Sequence, residues 1–133
     1  EGLTVSREDT RPGVNGYLDR AGRRIVLSPT LDPAAQVKTL AHELGHYFDP
    51  WLAEQPEGYP SHRGLCEVVA ESVAFIVGDA VGLVTSAYSV GYVASWADGD
   101  GSKVLDLAGR INTAADAILS RIEAAGEVIP DAA

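Results

Sequence analysis

The pentapeptide His-Glu-Leu-Gly-His at residues 42–46 constrains this chain more than any other stretch. It lies in a run without proline, residues 36–48, which predicts a helix. Residues four apart on a helix share one face, so His42 and His46 can direct both imidazole rings toward one point. Imidazole nitrogens bind zinc at about 2.0–2.1 Å, and this spacing meets that geometry with little strain. The pentapeptide therefore predicts part of a zinc site.

Glu43 follows the first histidine and leans toward the same point, but it is offset around the helix. This position suits a general base acting on a metal-bound water better than it suits a ligand. The alternative is an ordinary helix with two packed histidines, which is disfavoured because the chain has only three histidines in all. An apolar stripe would also bury this helix: Val37, Leu40, Ala41 and Leu44.

Two glutamates on a second predicted helix, residues 64–81, are the candidates for completing the site. A catalytic zinc centre usually has three protein ligands and one open position. Glu67 and Glu71 lie one turn apart among valine and alanine residues, where carboxylates are rare unless paired or coordinated. We predict that Glu67 is the third ligand and that Glu71 accepts a bond from a histidine N–H, which fixes its tautomer. The exchange of these roles, or two solvated glutamates, stays open.

Composition excludes several classes of function. No apolar run approaches the ~20 residues that a membrane-spanning helix needs, so we expect no membrane partner. The net charge is −9, and the basic residues form no cluster beyond Arg23 and Arg24, which argues against direct binding of nucleic acid. The single cysteine, Cys66, excludes an internal disulfide and fits a reducing cytoplasm. We expect it to pack rather than to bind metal.

The chain of 133 residues has room for one domain with its own core. We predict a single domain over residues 1–133, with an ordered core of about 15–125. Because the sequence begins at Glu1, without methionine or a signal-peptide pattern, we expect it to be part of a longer protein.

Short apolar runs and turn residues predict the order of elements. A short strand is expected near Leu3 and Val5, followed by a β-hairpin of residues 16–18 and 24–28. Asp32 and Pro33 predict the start of the histidine helix, which we place at 33–48. Residues 51–63 are predicted to be a loop whose Trp51, Tyr59 and His62 line a cleft. A short aromatic helix within 83–101 and a last helix over 103–125 complete the prediction.

The pentapeptide and the downstream segment Glu67-Val68-Val69-Ala70-Glu71 together resemble the gluzincin arrangement of zinc peptidases. Within that group the chain is similar to ImmA/IrrE-like metallopeptidases and to the zincin-like C-terminal domain of ArdC-type antirestriction proteins. The resemblance covers residues 15–120 and includes the hairpin that precedes the motif helix. It implies an α+β, zincin-like minimal metalloprotease domain in which a hairpin or small sheet packs on the motif helix. A Glu-bearing helix and a C-terminal helix complete this fold.

The same resemblance implies His42, His46 and Glu67 as zinc ligands and Glu43 as the general base. It also implies a bacterial cytoplasmic protein linked to mobile elements. Its partner would be a protein or peptide substrate, for which transcriptional regulators of the repressor type are the candidates. The single-strand-binding domain of ArdC-type proteins is not found in this sequence, which argues against a DNA-directed role.

We therefore predict a zinc-dependent endopeptidase in which zinc-bound water attacks a peptide carbonyl with Glu43 as general base. The donor that stabilises the oxyanion is left open among Tyr88, Tyr92 and His62. The alternative function is a zinc-containing module of low or no activity that binds a partner protein. The intact Glu43 argues against it, and a purely structural zinc site would usually be rich in cysteine.

Overall fold

A small sheet forms the N-terminal part of the computed structural model, which describes residues 2–82 and 101–128. Its strands are β1 (Thr4–Arg7), β2 (Gly16–Asp19) and β3 (Arg24–Leu27), in the order β1-β3-β2. β3 pairs with β1 in parallel and with β2 antiparallel. The predicted hairpin and the short N-terminal strand are confirmed. Because β3 is the central strand, β2 lies at an edge of the sheet, and its outer side pairs with no strand among the described residues.

The hairpin turn is closed by the side chain of Asp19. Its carboxylate accepts a hydrogen bond from the backbone N–H of Gly22 at 2.9 Å and one from Arg24 Nε at 3.2 Å. An aspartate that bonds the backbone a few residues ahead favours a tight turn. This turn sets the register in which Gly16 pairs with Leu27.

The motif helix, α1 (Pro33–Phe48), has the predicted bounds. Asp32 adopts an extended conformation and accepts a hydrogen bond from the backbone N–H of Ala35 at 2.8 Å. Pro33 at the first position loses no intrahelical bond. The helix ends before Asp49, because the residue that precedes a proline is disfavoured in helical conformation.

The prediction of a loop over residues 51–63 is wrong. A short helix, α2 (Pro50–Glu54), is followed by two 3₁₀ turns, Pro56–Gly58 and Pro60–His62. Each of the three begins with a proline, and the carboxylate of Asp49 accepts a bond from Trp51 N–H at 3.0 Å at the start of α2. Pro50, Pro56 and Pro60 stand at the first positions of these helical turns, where a missing N–H costs nothing.

Two long helices, α3 (Arg63–Ala80) and α4 (Gly101–Val128), pack with α1. Both were predicted, at 64–81 and 103–125. α1 and α3 approach closely at Gly45, where a Cβ atom would lie 3.0 Å from the Ala70 Cα and 3.2 Å from the Val73 Cβ. The core between the three helices contains Leu107 and is otherwise built of small and β-branched residues: Ala41, Val69, Val73, Ala74, Val77, Ile111, Ala114, Ala115 and Ile118.

This sheet with its helices confirms the predicted α+β class, while the likeness to a zincin stays a prediction. The predicted aromatic helix, with Tyr88 and Tyr92, lies outside the described residues. No helix in residues 2–82 and 101–128 combines the length and the apolar character that crossing a membrane requires.

Candidate metal centre

Helices α1 and α3 bring two histidines and one glutamate together. The Nε2 atom of His42 lies 3.1 Å from Oε1 of Glu67, and the Nε2 atom of His46 lies 2.8 Å from Oε2 of the same carboxylate. One ligand atom from each residue lies within 4.8 Å of those of the other two. The two imidazole rings meet edge to face, with centroids 5.0 Å apart. These three residues could hold a metal ion.

The other nitrogen of His42 contacts the second glutamate. Nδ1 lies 2.9 Å from Oε2 of Glu71, whose Oε1 lies 3.7 Å from the Nζ of Lys38. When Nδ1–H donates to Glu71, the lone pair of Nε2 is available to a metal. Glu67, and not Glu71, therefore faces the Nε2 atoms of both histidines. The Nδ1 atom of His46 is buried without a hydrogen-bond partner among the described residues.

The charges of this cluster favour a cation at its centre. Burial lowers the pKa of His42, but the hydrogen bonds with Glu67 and Glu71 outweigh burial and raise that pKa to about 9. Burial raises the pKa of Glu67, yet its hydrogen bonds with His42 and His46 hold the pKa well below the usual range. The carboxylates thus draw a positive charge into the space between them. Two imidazole nitrogens and one carboxylate oxygen are a donor set that zinc prefers, so the residues fit this metal.

Glu43 stands beside the cluster on α1. Burial raises the pKa of its carboxyl group, and the neighbouring charges of His42 and His46 oppose that rise. Within residues 2–82 and 101–128, no side chain or backbone group forms a hydrogen bond or ion pair with this carboxylate. The carboxylate is therefore available to a molecule that enters the cleft.

The cluster borders a cleft of about 450 Å³ between the sheet and the helices. The edge strand β2 forms one side of the cleft. The turns after α2 and the first residue of α3 form another part of its wall. Besides the motif residues and Glu67, the lining includes Gly16, Tyr17, Leu18, Arg20, Tyr59 and Arg63.

Tyr59 lines the cleft, as predicted, but its contact with the candidate ligands was not predicted. Its hydroxyl donates a hydrogen bond to Oε2 of Glu67 at 2.7 Å, and its ring meets that of His46 edge to face at 5.6 Å. Burial and the bond to Glu67 raise the pKa of Tyr59 to about 12. The sequence gives little indication of this contact, because Tyr59 lies between two 3₁₀ turns where no periodic pattern shows the direction of a side chain.

The structure places none of the three predicted oxyanion donors, His62, Tyr88 and Tyr92, at the candidate metal centre. The structure does not bring His62 into the cleft, because its ring packs against Trp51 at 4.9 Å and its Nδ1 lies 3.1 Å from the carbonyl of Gly58. Tyr88 and Tyr92 lie outside the described residues. Neither tyrosine is therefore placed relative to the metal centre.

A second charged cluster joins the helices behind the cleft. Asp49 is fully buried, and Arg110 of α4 donates to its two oxygens, from Nε at 3.0 Å and from Nη2 at 2.6 Å. The guanidinium lies over the ring of Trp51, at 5.1 Å, and 3.8 Å from the sulfur of Cys66. Cys66 is fully buried, and burial raises the pKa of its thiol. It therefore packs, as expected, and lies outside the candidate ligand set.

Comparison with protein families identifies the group to which this chain is related. The model of the IrrE N-terminal-like domain, peptidase family M78, matches residues 2–76. That range spans more than half of the chain and contains the sheet, the motif helix and both glutamates of α3. The chain belongs to the peptidase M78 family. Membership confirms the ImmA/IrrE-like resemblance and indicates a metallopeptidase-like function.

Neither the curated proteins nor the solved structures include a significant match to this M78 chain. The likeness to ArdC-type proteins therefore stays a prediction. The M78 match includes the residues that could hold a metal, His42, His46 and Glu67, but it does not state which metal.

Proposed function

We propose that this domain is a zinc-dependent endopeptidase that hydrolyses a peptide bond in a specific protein substrate. One observation carries the proposal: two imidazole nitrogens and a carboxylate converge to within 4.8 Å beside an open cleft. Glu43, on the same helix, lines that cleft and has no hydrogen-bond or ion-pair partner among the described residues. A structural metal site has no need for a further carboxylate in this position.

His42, His46 and Glu67 would hold the ion. Zinc, when bound, supplies a Lewis acid that polarises a carbonyl group and makes water more acidic. Glu43 would accept a proton from the water that attacks the scissile carbonyl and would pass that proton to the leaving amine. Glu71 would keep the Nδ1 proton of His42 in place, so that the Nε2 lone pair points toward the ligand set.

The outer edge of β2 would bind the substrate backbone. Gly16, Tyr17 and Leu18 line the cleft together with the motif helix. An extended peptide can add to such an edge through backbone hydrogen bonds, while its side chains occupy neighbouring pockets. This binding mode suits a segment in the middle of a protein chain, as an endopeptidase requires. The family resemblance suggests transcriptional regulators of the repressor type as substrates. It also suggests that cleavage takes place in the cytoplasm.

Metal analysis combined with one substitution tests the proposal. Zinc should be present once per chain, and anomalous scattering at the zinc edge should place it between His42, His46 and Glu67. Glu43→Gln should keep the zinc and should lower cleavage of an unstructured peptide library, read by mass spectrometry, by about 10²–10⁴-fold. Glu57→Gln, which changes an exposed glutamate of the first 3₁₀ turn, is the matched control and should cleave normally.

Each failure has a distinct meaning. A Glu43→Gln variant that cleaves as well as the wild type would refute the assigned mechanism. Stoichiometric zinc without any cleavage by the wild type would favour the partner-binding alternative. A chain that binds no zinc would refute both.

A further inference from the structure

We infer that Tyr59 is a positioning residue of the metal centre, whose hydroxyl orients the Glu67 carboxylate toward the two histidines. The inference rests on the metal site of the proposed function. The hydroxyl donates to Oε2 of Glu67 at 2.7 Å, and the same oxygen lies 2.8 Å from His46 Nε2. The edge-to-face contact with the ring of His46 places Tyr59 against two of the three candidate ligands.

Glu67 needs such a donor because its side chain has freedom to move. The side chain is 37% exposed, and a glutamate carboxylate turns about several bonds. Here its partners are His42, His46 and Tyr59. When the Nε2 atoms of the histidines bind a metal, they no longer donate to the carboxylate. Among the described residues, Tyr59 is then the hydrogen-bond donor that remains on Glu67.

The turn that carries Tyr59 is held in place by its own contacts. The Tyr59 N–H donates to the carbonyl of Pro56 at 3.3 Å, and its carbonyl accepts from the N–H of His62 at 3.1 Å. Gly58 packs so closely on Trp51 that a Cβ atom would lie 2.7 Å from the indole ring. The tyrosine therefore approaches Glu67 from a fixed backbone.

The hydroxyl acts on the ligand and not on the substrate. Its proton is engaged by the Oε2 atom of Glu67. A residue in this role should affect metal affinity before it affects any step of catalysis. Hydrogen-bond partners of metal ligands typically change metal affinity or activity by about 10–100-fold when they are removed.

Metal binding by Tyr59→Phe tests the inference without any substrate. Zinc affinity is measured by competition with a chromogenic chelator, and the visible spectrum of the Co²⁺-loaded protein reports the ligand geometry. Tyr59→Phe should bind zinc about 10–100-fold more weakly and should shift the Co²⁺ bands. Tyr17→Phe, which removes a hydroxyl from the same cleft without contact to Glu67, is the matched control and should keep the zinc affinity and the Co²⁺ spectrum of the wild type.

A Tyr59→Phe variant with wild-type zinc affinity and an unchanged Co²⁺ spectrum would overturn the inference and leave the proposed function intact. A wild type that binds neither metal would overturn both. Thermal unfolding of the metal-free variant checks its fold. If that fold is lost, Gly58→Ala provides a second route, because the added methyl group meets Trp51 and displaces the turn while the hydroxyl stays. Weaker zinc binding by Gly58→Ala supports the inference, and unchanged binding contradicts it.

Discussion

Two clusters of charged side chains join the helices of this domain, and they differ in how completely their charges are balanced. Asp49 is fully buried, and the two donors of Arg110 match its two oxygens. The candidate metal centre is partly exposed along the cleft, and its two histidines lie close to three carboxylates: Glu43, Glu67 and Glu71. The first cluster is complete without any ligand. In the second, Glu43 has no hydrogen-bond or ion-pair partner among the described residues, and the ligand atoms of His42, His46 and Glu67 converge where a cation could bind.

The contrast separates a structural role from a functional one. A buried ion pair adds little net stability, but the loss of one partner leaves a charge without compensation. A carboxylate that borders open solvent and has no hydrogen-bond partner, as Glu43 has none among the described residues, is instead suited to binding and chemistry.

Breaking the buried pair should have the largest effect. Arg110→Ala leaves the carboxylate of Asp49 buried without its partner, which typically costs about 3–5 kcal/mol. Urea denaturation should therefore show a large decrease in the free energy of unfolding. A loss much smaller than this would show that water reaches Asp49 and that the cluster is not closed.

Metal removal should have the next largest effect. A ligand that binds the folded state at 100 times its Kd stabilises that state by about 2.7 kcal/mol. We expect zinc to raise the thermal midpoint of the wild type and a chelator to reverse the rise. His46→Ala should abolish the response. A rise that persists in this variant would place the zinc elsewhere.

A smaller effect should follow from Glu71→Gln. The amide cannot hold the Nδ1 proton of His42 as strongly as a carboxylate, so zinc affinity should fall by about 10–100-fold. Competition with a chelator measures this change. Asp79→Asn, at an exposed position near the end of the same helix, should leave the affinity unchanged. Equal affinities in both variants would mean that Glu71 does not support the site.

The smallest effect should come from Arg24→Ala. Arg24 pairs with Glu8 and Asp19 at 3.2 Å, but its side chain is 39% exposed, and exposed ion pairs contribute little. The free energy of unfolding should change far less than in Arg110→Ala under the same conditions. If the two arginine variants lose similar stability, burial does not distinguish the two ion pairs.

Local patterns in the sequence predicted the parts of this molecule that depend on local interactions. The spacing of His42 and His46 follows from helix geometry, and Asp32 marks the start of α1 as capping requires. The apolar surroundings of Glu67 and Glu71 indicated a site because unpaired carboxylates are disfavoured there. These inferences need a few neighbouring residues and no knowledge of the tertiary structure.

The contacts that were missed join residues through the tertiary structure. Arg110 meets Asp49 across 61 positions, and nothing in the pattern of either helix specifies that partner. Tyr59 reaches Glu67 because successive 3₁₀ turns fold the segment back. The prolines of this segment indicate a loop as readily as a helical turn, so the sequence does not predict the contact. The same 3₁₀ turns direct the ring of His62 against Trp51 and away from the cleft.

Gly45 limits the sequences that can occupy the centre of the motif. A methyl group at this position would lie within 3.0 Å of Ala70 and would push α1 away from α3. Because His46 follows Gly45 directly and Glu67 lies within one turn of Ala70, such a shift would widen the gap between nitrogen and oxygen donors on opposite helices. A residue without a side chain thus keeps the candidate ligands of the two helices within reach of one another.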